Sequence, residues 1–92
     1  MATTAVHLTI RGRVQGVGYR AWVADTATET LTGWVRNRRD GSVEAVAAGR
    51  PDMIELFVAE CRDGPRAAIV SGIESESYDG PPINGFKVLP DA

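Results

Sequence analysis

The residues best suited to chemistry stand in one short stretch, Gly12-Arg13-Val14-Gln15-Gly16-Val17-Gly18-Tyr19-Arg20. Strand-like alternation precedes it and a helical stripe follows, so it bridges a strand and a helix N-terminus. Glycines let such a loop curl until successive backbone N–H groups converge on one point. The helix start adds unpaired N–H groups and the positive end of the helix dipole. Arg20 falls in the first turn, where its guanidinium fork can grip two oxygens of one anion. The stretch reads as a cradle for phosphate or carboxylate, with a purely structural glycine turn as the other reading.

What the loop lacks narrows the chemistry. Gly16-Val17-Gly18-Tyr19-Arg20-Ala21 formally matches the G-x-G-x-x-A dinucleotide fingerprint. The chain is too short for a doubly wound sheet, however, and Asp25 and Glu29 come too early for a ribose contact. No Gly-Lys-Ser/Thr ends the segment, which removes the Walker loop. No cysteine precedes Arg20 within a loop's reach, which removes a cysteine-dependent phosphatase. Between Gly12 and Arg20 there is no Ser, Thr, Cys, Asp or Glu to act as a covalent nucleophile. A hydrolase built here would use water and a leaving group that departs without protonation. Acyl phosphates fit, because their carboxylate leaves as a stable anion. Positioning and electrostatic stabilisation could then carry most of the catalysis.

The elements that must hold this loop follow from periodicity. Val6, Leu8 and Ile10 alternate with His7, Thr9 and Arg11, a half-buried strand over Val6 to Gly12. Tyr19, Val23, Ala27 and Leu31 recur at i+4 as one helical stripe, and Gly33 stands where a C-cap glycine would end it. Gly33 to Asn37 and Ser42 to Ala48 read as two further strands. Arg38-Arg39-Asp40-Gly41 joins them in a hairpin, with Asp-Gly as the turn signal. Pro51 and Asp52 suit the first turn of a second helix, with Ile54, Phe57, Val58 and Cys61 on its apolar face and Gly64-Pro65 as its stop. Cys61 is therefore expected in the core rather than as a reactive thiol. Ile69 to Ser77 and Phe86 to Leu89 read as the last strands, separated by a turn or loop at Asp79-Gly80-Pro81-Pro82. The order β-α-β-β-α-β with a short C-terminal strand is the α+β, ferredoxin-like split βαβ arrangement, an antiparallel sheet with two helices on one face.

Composition sets outer limits. The 92 residues are 43% hydrophobic and 24% charged, ordinary globular usage for one small domain. No apolar run exceeds four residues, and the N-terminus shows neither a basic region nor an apolar stretch, so neither a membrane span nor a secretory signal is visible. One cysteine and one histidine allow no internal disulfide and no multi-histidine metal site. His7 can be an exposed strand histidine or a catalytic one. The net charge of −2 argues against a general nucleic-acid binder. Residues 1–39 nevertheless hold six arginines against two acids, which suits a local anion site.

The loop from Gly12 to Arg20 looks like the first signature of the acylphosphatase family. Gly33-Trp34-Val35-Arg36-Asn37, followed by Asp40-Gly41-Ser42-Val43 and by Gly49, resembles the second. Gly64-Pro65-x-Ala67 and Gly85-Phe86 resemble later segments, so the resemblance covers nearly the whole chain and implies one acylphosphatase-like domain over 1–92. It implies hydrolysis of a carboxyl–phosphate bond by an activated water, giving carboxylate and inorganic phosphate, with no metal or organic cofactor. By that resemblance Arg20 binds the phosphoryl group with the loop amides of Gln15, Gly16, Val17, Gly18 and Tyr19. Asn37 matches the asparagine that orients the attacking water, and its amide offers one acceptor and two donors. Taken alone, Asn37 reads as a strand-end residue satisfying a turn. Arg36, Arg38 and Arg39 either steer anions or face solvent, and Trp22 and Trp34 read as core residues. The tail Phe86–Ala92 lacks the basic residue that often follows the family's last apolar pair, which bears on edge packing or substrate contacts.

The expectation is thus a cytoplasmic, monomeric acylphosphatase of small-molecule acyl phosphates. Inorganic phosphate would be its product and competing ligand, and neither nucleic acid nor membrane its partner. The alternative is a non-catalytic module holding an anion or a carbamoyl-phosphate-like ligand. An RNA-binding version of the fold is weaker, since Ser42–Gly49 has no aromatics to stack bases.

Overall fold

Seven elements succeed one another along residues 3–27 and 30–92, the part of the chain described by the computed structural model. They are β1 (Thr4–Arg13), α1 (Tyr19–Ala27), β2 (Thr32–Asn37), β3 (Val43–Gly49), α2 (Pro51–Asp63), β4 (Ile69–Ser77) and β5 (Phe86–Val88). The sheet order is β4-β1-β3-β2-β5. β3 therefore separates β1 from β2, which is the split arrangement expected from the element order. The four longer strands pair antiparallel. The short β5 differs: it runs parallel to β2, with Phe86 opposite Gly33 and Val88 opposite Val35, so the whole sheet is mixed.

Period-2 alternation decides which face the helices cover. Leu8 and Ile10 from β1, Val35 from β2 and Val43, Ala45 and Ala47 from β3 share one core with both helices. Helix α1 brings Tyr19, Val23 and Ala27 to that core, and α2 brings Ile54, Phe57 and Cys61. Cys61 is fully buried, and burial pushes its thiol up to about 12, so it packs as a hydrophobe. Pro51 opens α2, and Gly64 closes it by donating its N–H to the Glu60 carbonyl at 3.0 Å.

On the opposite face, side chains of the sheet itself supply the cover. His7 Nε2 meets Glu44 Oε2 at 2.6 Å, while Arg36 Nε donates to Glu44 Oε1 at 2.7 Å and its guanidinium lies 5.2 Å from the Trp34 ring centre. Burial pushes the Glu44 carboxyl up, but the bonds from His7 and Arg36 outweigh it and hold the group below the usual carboxylate range. Trp34 therefore departs from the core position expected of it. It alternates with the buried Val35 and so belongs to the face without helices. Trp22 does pack against the core, its ring 5.7 Å from that of Tyr19.

Gly33 is the other correction. It does not cap α1, which ends at Ala27 with the Leu31 N–H donating to the Ala27 carbonyl at 3.0 Å. Leu31 is still buried, and residues 28 and 29, between Ala27 and Leu31, lie outside the described residues. Gly33 instead sits inside β2 at φ 154°, where a Cβ would collide with the Val46 carbonyl and crowd the Phe86 ring. Gly33→Ala is accordingly expected to cost about 2 kcal/mol or more. A lower urea midpoint at an unchanged m-value is the measurement that checks it.

Candidate functional site

The chain leaves β1 through an irregular step in its pairing with β4 at Arg11/Gly12 and enters the loop that precedes α1. Gly16 and Gly18 adopt φ 73° and 78°, the left-handed region that L side chains avoid. These two residues curl the backbone. The Gly18 carbonyl then accepts the Trp22 N–H at 3.1 Å and starts the helix. Among the described residues, the backbone N–H groups of Gln15, Gly16, Val17 and Gly18 donate to no protein acceptor. Free N–H groups at a helix start form an anion-binding concavity.

A cavity of about 250 Å³ opens at this point, lined among others by Gly16, Gly18, Arg20, Asn37 and Val88. Arg20 is held at its wall by Asp91, with Nη1 to Oδ1 at 2.9 Å. Asn37 is 8% exposed, and its Oδ1 is buried with no hydrogen-bond partner among the described residues. A buried carbonyl oxygen left without a partner costs about 1–3 kcal/mol, so it marks a place where something polar is expected to bind. The strand end that carries Asn37 is well anchored. Asn37 pairs with Val43 across the hairpin, and its backbone carbonyl accepts the Ala92 N–H at 3.0 Å.

The sequence-predicted residues divide clearly. Gly16, Gly18, Tyr19, Arg20 and Asn37 line the one cavity. Tyr19 does so without its hydroxyl, which turns inward and donates to the Cys61 carbonyl at 2.7 Å. Val17 packs against the core, and the Gln15 side chain reaches the β2–β3 hairpin, donating to the carbonyls of Arg38 and Ser42. His7 and Arg36 are brought to Glu44 on the far face of the sheet, apart from Arg20 and Asn37. Arg38 and Arg39 border a shallow depression with Asp40 and Ala92, beside the strand end of Asn37. Sequence reasoning missed Val88 and Asp91, both from the tail. No local pattern marks them, because only the parallel docking of β5 on β2 carries them there. A larger hollow of about 550 Å³ lies under the 78–85 segment, but no charged side chain lines it among the described residues. Nor, among those residues, do three His, Cys, Asp or Glu side chains gather to hold a metal ion. Among the described residues no helix is long and apolar enough to cross a membrane.

The sequence pattern of the acylphosphatase family matches residues 6–88. The chain belongs to that family. An acylphosphatase of Rhodopseudomonas palustris (strain BisB5) is 52% identical over 85 residues, covering 91% of this chain and 86% of the relative. The structure of an acylphosphatase from Coxiella burnetii superposes with a TM-score of 0.89 at 39% identity, covering 95% of this chain and 93% of that one. The fold also matches a full-length HypF solved in a phosphate- and nucleotide-bound form, with a TM-score of 0.89 and 26% identity, where it spans 12% of that chain. The acylphosphatase resemblance and the ferredoxin-like fold expected from sequence are thus borne out. Acylphosphatases of similar length, matched over most of both chains, favour the enzyme over a non-catalytic binding module.

Proposed function

We propose that this acylphosphatase hydrolyses small acyl phosphates in the cavity between the Gln15–Tyr19 loop, Arg20 and Asn37. The observation that carries the reading is Asn37, whose buried Oδ1 has no partner among the described residues and which lines the same cavity as Arg20 and the loop glycines Gly16 and Gly18. The loop N–H groups and the Arg20 fork take the phosphoryl oxygens, whose charge persists into the transition state. Asp91 orders the guanidinium beforehand, so less side-chain freedom is lost when substrate arrives. Asn37 Oδ1 accepts a hydrogen bond from the attacking water and holds it in line with the phosphorus. A new bond forms from the water oxygen to phosphorus while the bond from phosphorus to the acyl oxygen breaks. Both water protons remain on the departing phosphate, and the carboxylate leaves as an anion. No general acid and no metal are needed, because the leaving group is already stable. We place the enzyme in the cytoplasm, where a lone unpaired cysteine is ordinary. All of the named groups come from one chain, so the site is complete in a monomer.

The test is turnover of benzoyl phosphate beside p-nitrophenyl phosphate, with and without a chelator. Hydrolysis of the acyl phosphate alone is expected, unchanged by chelation and competitively inhibited by inorganic phosphate. Equal or zero activity on the two substrates would overturn the reading. Loss under chelation, restored by a divalent ion, would overturn its metal independence.

A further inference from the structure

The two halves of the site ride on elements that are not neighbours. The cradle follows β1 and Asn37 ends β2, with β3 between them. Gly16 and Gly18 set the turn of the cradle but carry no side chain that could tie it to the hairpin. Beside the link through the tail, where Asp91 holds Arg20 and the Ala92 N–H bonds the Asn37 carbonyl, one side chain of the loop itself reaches the hairpin directly. Gln15 Nε2 donates to the Arg38 carbonyl at 2.7 Å and to the Ser42 carbonyl at 2.9 Å. Both protons of its amide nitrogen are thereby used, and both acceptors belong to the hairpin that starts one residue after Asn37. The same carbonyls also close the hairpin, the Ser42 carbonyl accepting the Arg38 N–H at 2.9 Å and the Arg38 carbonyl accepting the Gly41 N–H at 3.2 Å. Each carbonyl has two lone pairs, so it serves both partners.

We infer that the Gln15 side chain is a positioning residue: it fixes the distance and angle between the phosphate cradle and the water held by Asn37. The inference rests on the roles proposed above for the loop and Asn37. Its physical basis is that in-line attack needs reacting atoms about 3–3.5 Å apart, and a 1 Å displacement can cost ~10²-fold in rate. Without the two bonds the loop and the hairpin each keep their shape and shift against one another. Phosphate binding stays with the loop and Arg20, while alignment of the water is lost. The effect therefore falls on kcat and spares affinity.

The test is a double-mutant cycle on the full chain with benzoyl phosphate as substrate and inorganic phosphate as the binding probe. Gln15→Met keeps the side-chain length and removes both donors, and the hairpin keeps its own bonds, so the variant is expected to fold. Its kcat should fall about 10-fold to 10²-fold, with phosphate affinity within about threefold of the parent. In an Asn37→Ala background the same change should alter kcat less than about twofold, because the water it aligns is no longer held. A purely structural role would give equal losses in both backgrounds, and that result overturns the inference. A parental kcat for Gln15→Met, beside an impaired Asn37→Ala, overturns the inference and leaves the proposed function standing. An unimpaired Asn37→Ala overturns both. Should Gln15→Met fail to fold, Gln15→Asn, one methylene too short to reach both carbonyls, replaces it with the same expected outcomes.

Discussion

Replacing Arg20 with alanine is expected to lower kcat/KM by roughly 10³-fold or more, the scale on which a transition-state arginine acts in phosphoryl transfer. Inorganic phosphate should also bind far more weakly, since the variant keeps the loop amides but loses the one cation that, among the described residues, lines the cavity. Arg20→Lys should recover little, because a point charge cannot reproduce two parallel bonds from a planar fork. The fold should tolerate both changes. Among the described residues Arg20 makes one side-chain bond, to Asp91, and that pair is partly exposed, so it contributes about 0–1 kcal/mol. Asp91 is left in water rather than buried without a partner. Steady-state kinetics and a phosphate titration of the loop amides by NMR check the result. Turnover within tenfold of the parent would remove Arg20 from the reaction.

Arg20 and its loop were legible in the sequence because everything that makes the cradle is local. Two glycines, a helix start and an arginine in its first turn lie within nine residues, and each has a conformational consequence that can be read without tertiary structure. The strands and helices were legible for the same reason, since apolar period distinguishes them one segment at a time. The failures come where one residue serves two possible masters. Gly33 follows a helical stripe and precedes a strand, and a glycine in either role looks the same until Val46 and Phe86 are seen against it. Trp34 was placeable in principle, because its alternation with Val35 assigns it to the face opposite the core. Its size instead suggested burial. The parallel pairing of β5 rests on three residues, too few for a period to speak.

The long-range links were not legible at all. Asp91 lies 71 residues from Arg20, and Gln15 lies 23 and 27 residues from its two acceptors. No spacing rule connects residues that meet only after the sheet has formed. This matters for function, because the cradle is a local object while the active geometry is not. The sequence reads as a glycine loop with an arginine in the next helical turn; the folded sheet brings that loop to Asn37. Asn37 itself carried no pattern of its own, and only the resemblance of its neighbourhood to the second acylphosphatase signature drew attention to it.

That leaves the residue on which binding and chemistry should separate. Asn37→Ala is expected to reduce kcat by about 10²–10³, the scale seen when one preorganised polar group is removed from a transition state. Affinity for inorganic phosphate should stay within a few-fold, since the loop and Arg20 remain. Loss of stability is not the expected cause. The substitution removes a buried oxygen that has no partner among the described residues, so it creates no new orphan there. The backbone of Asn37 keeps its pairing with Val43 and its bond from Ala92. Thermal melting of the variant, at or slightly above the parent's midpoint, checks that point before any rate is interpreted. Asn37→Asp is the harsher change, because it keeps the shape but aims an anion at a dianionic substrate. It should raise KM as well as lower kcat, and the KM effect should shrink as salt screens the repulsion. A folded Asn37→Ala variant that turns over acyl phosphate at the parental rate would show that the water is held by another group, and that the orphaned oxygen has no part in the reaction.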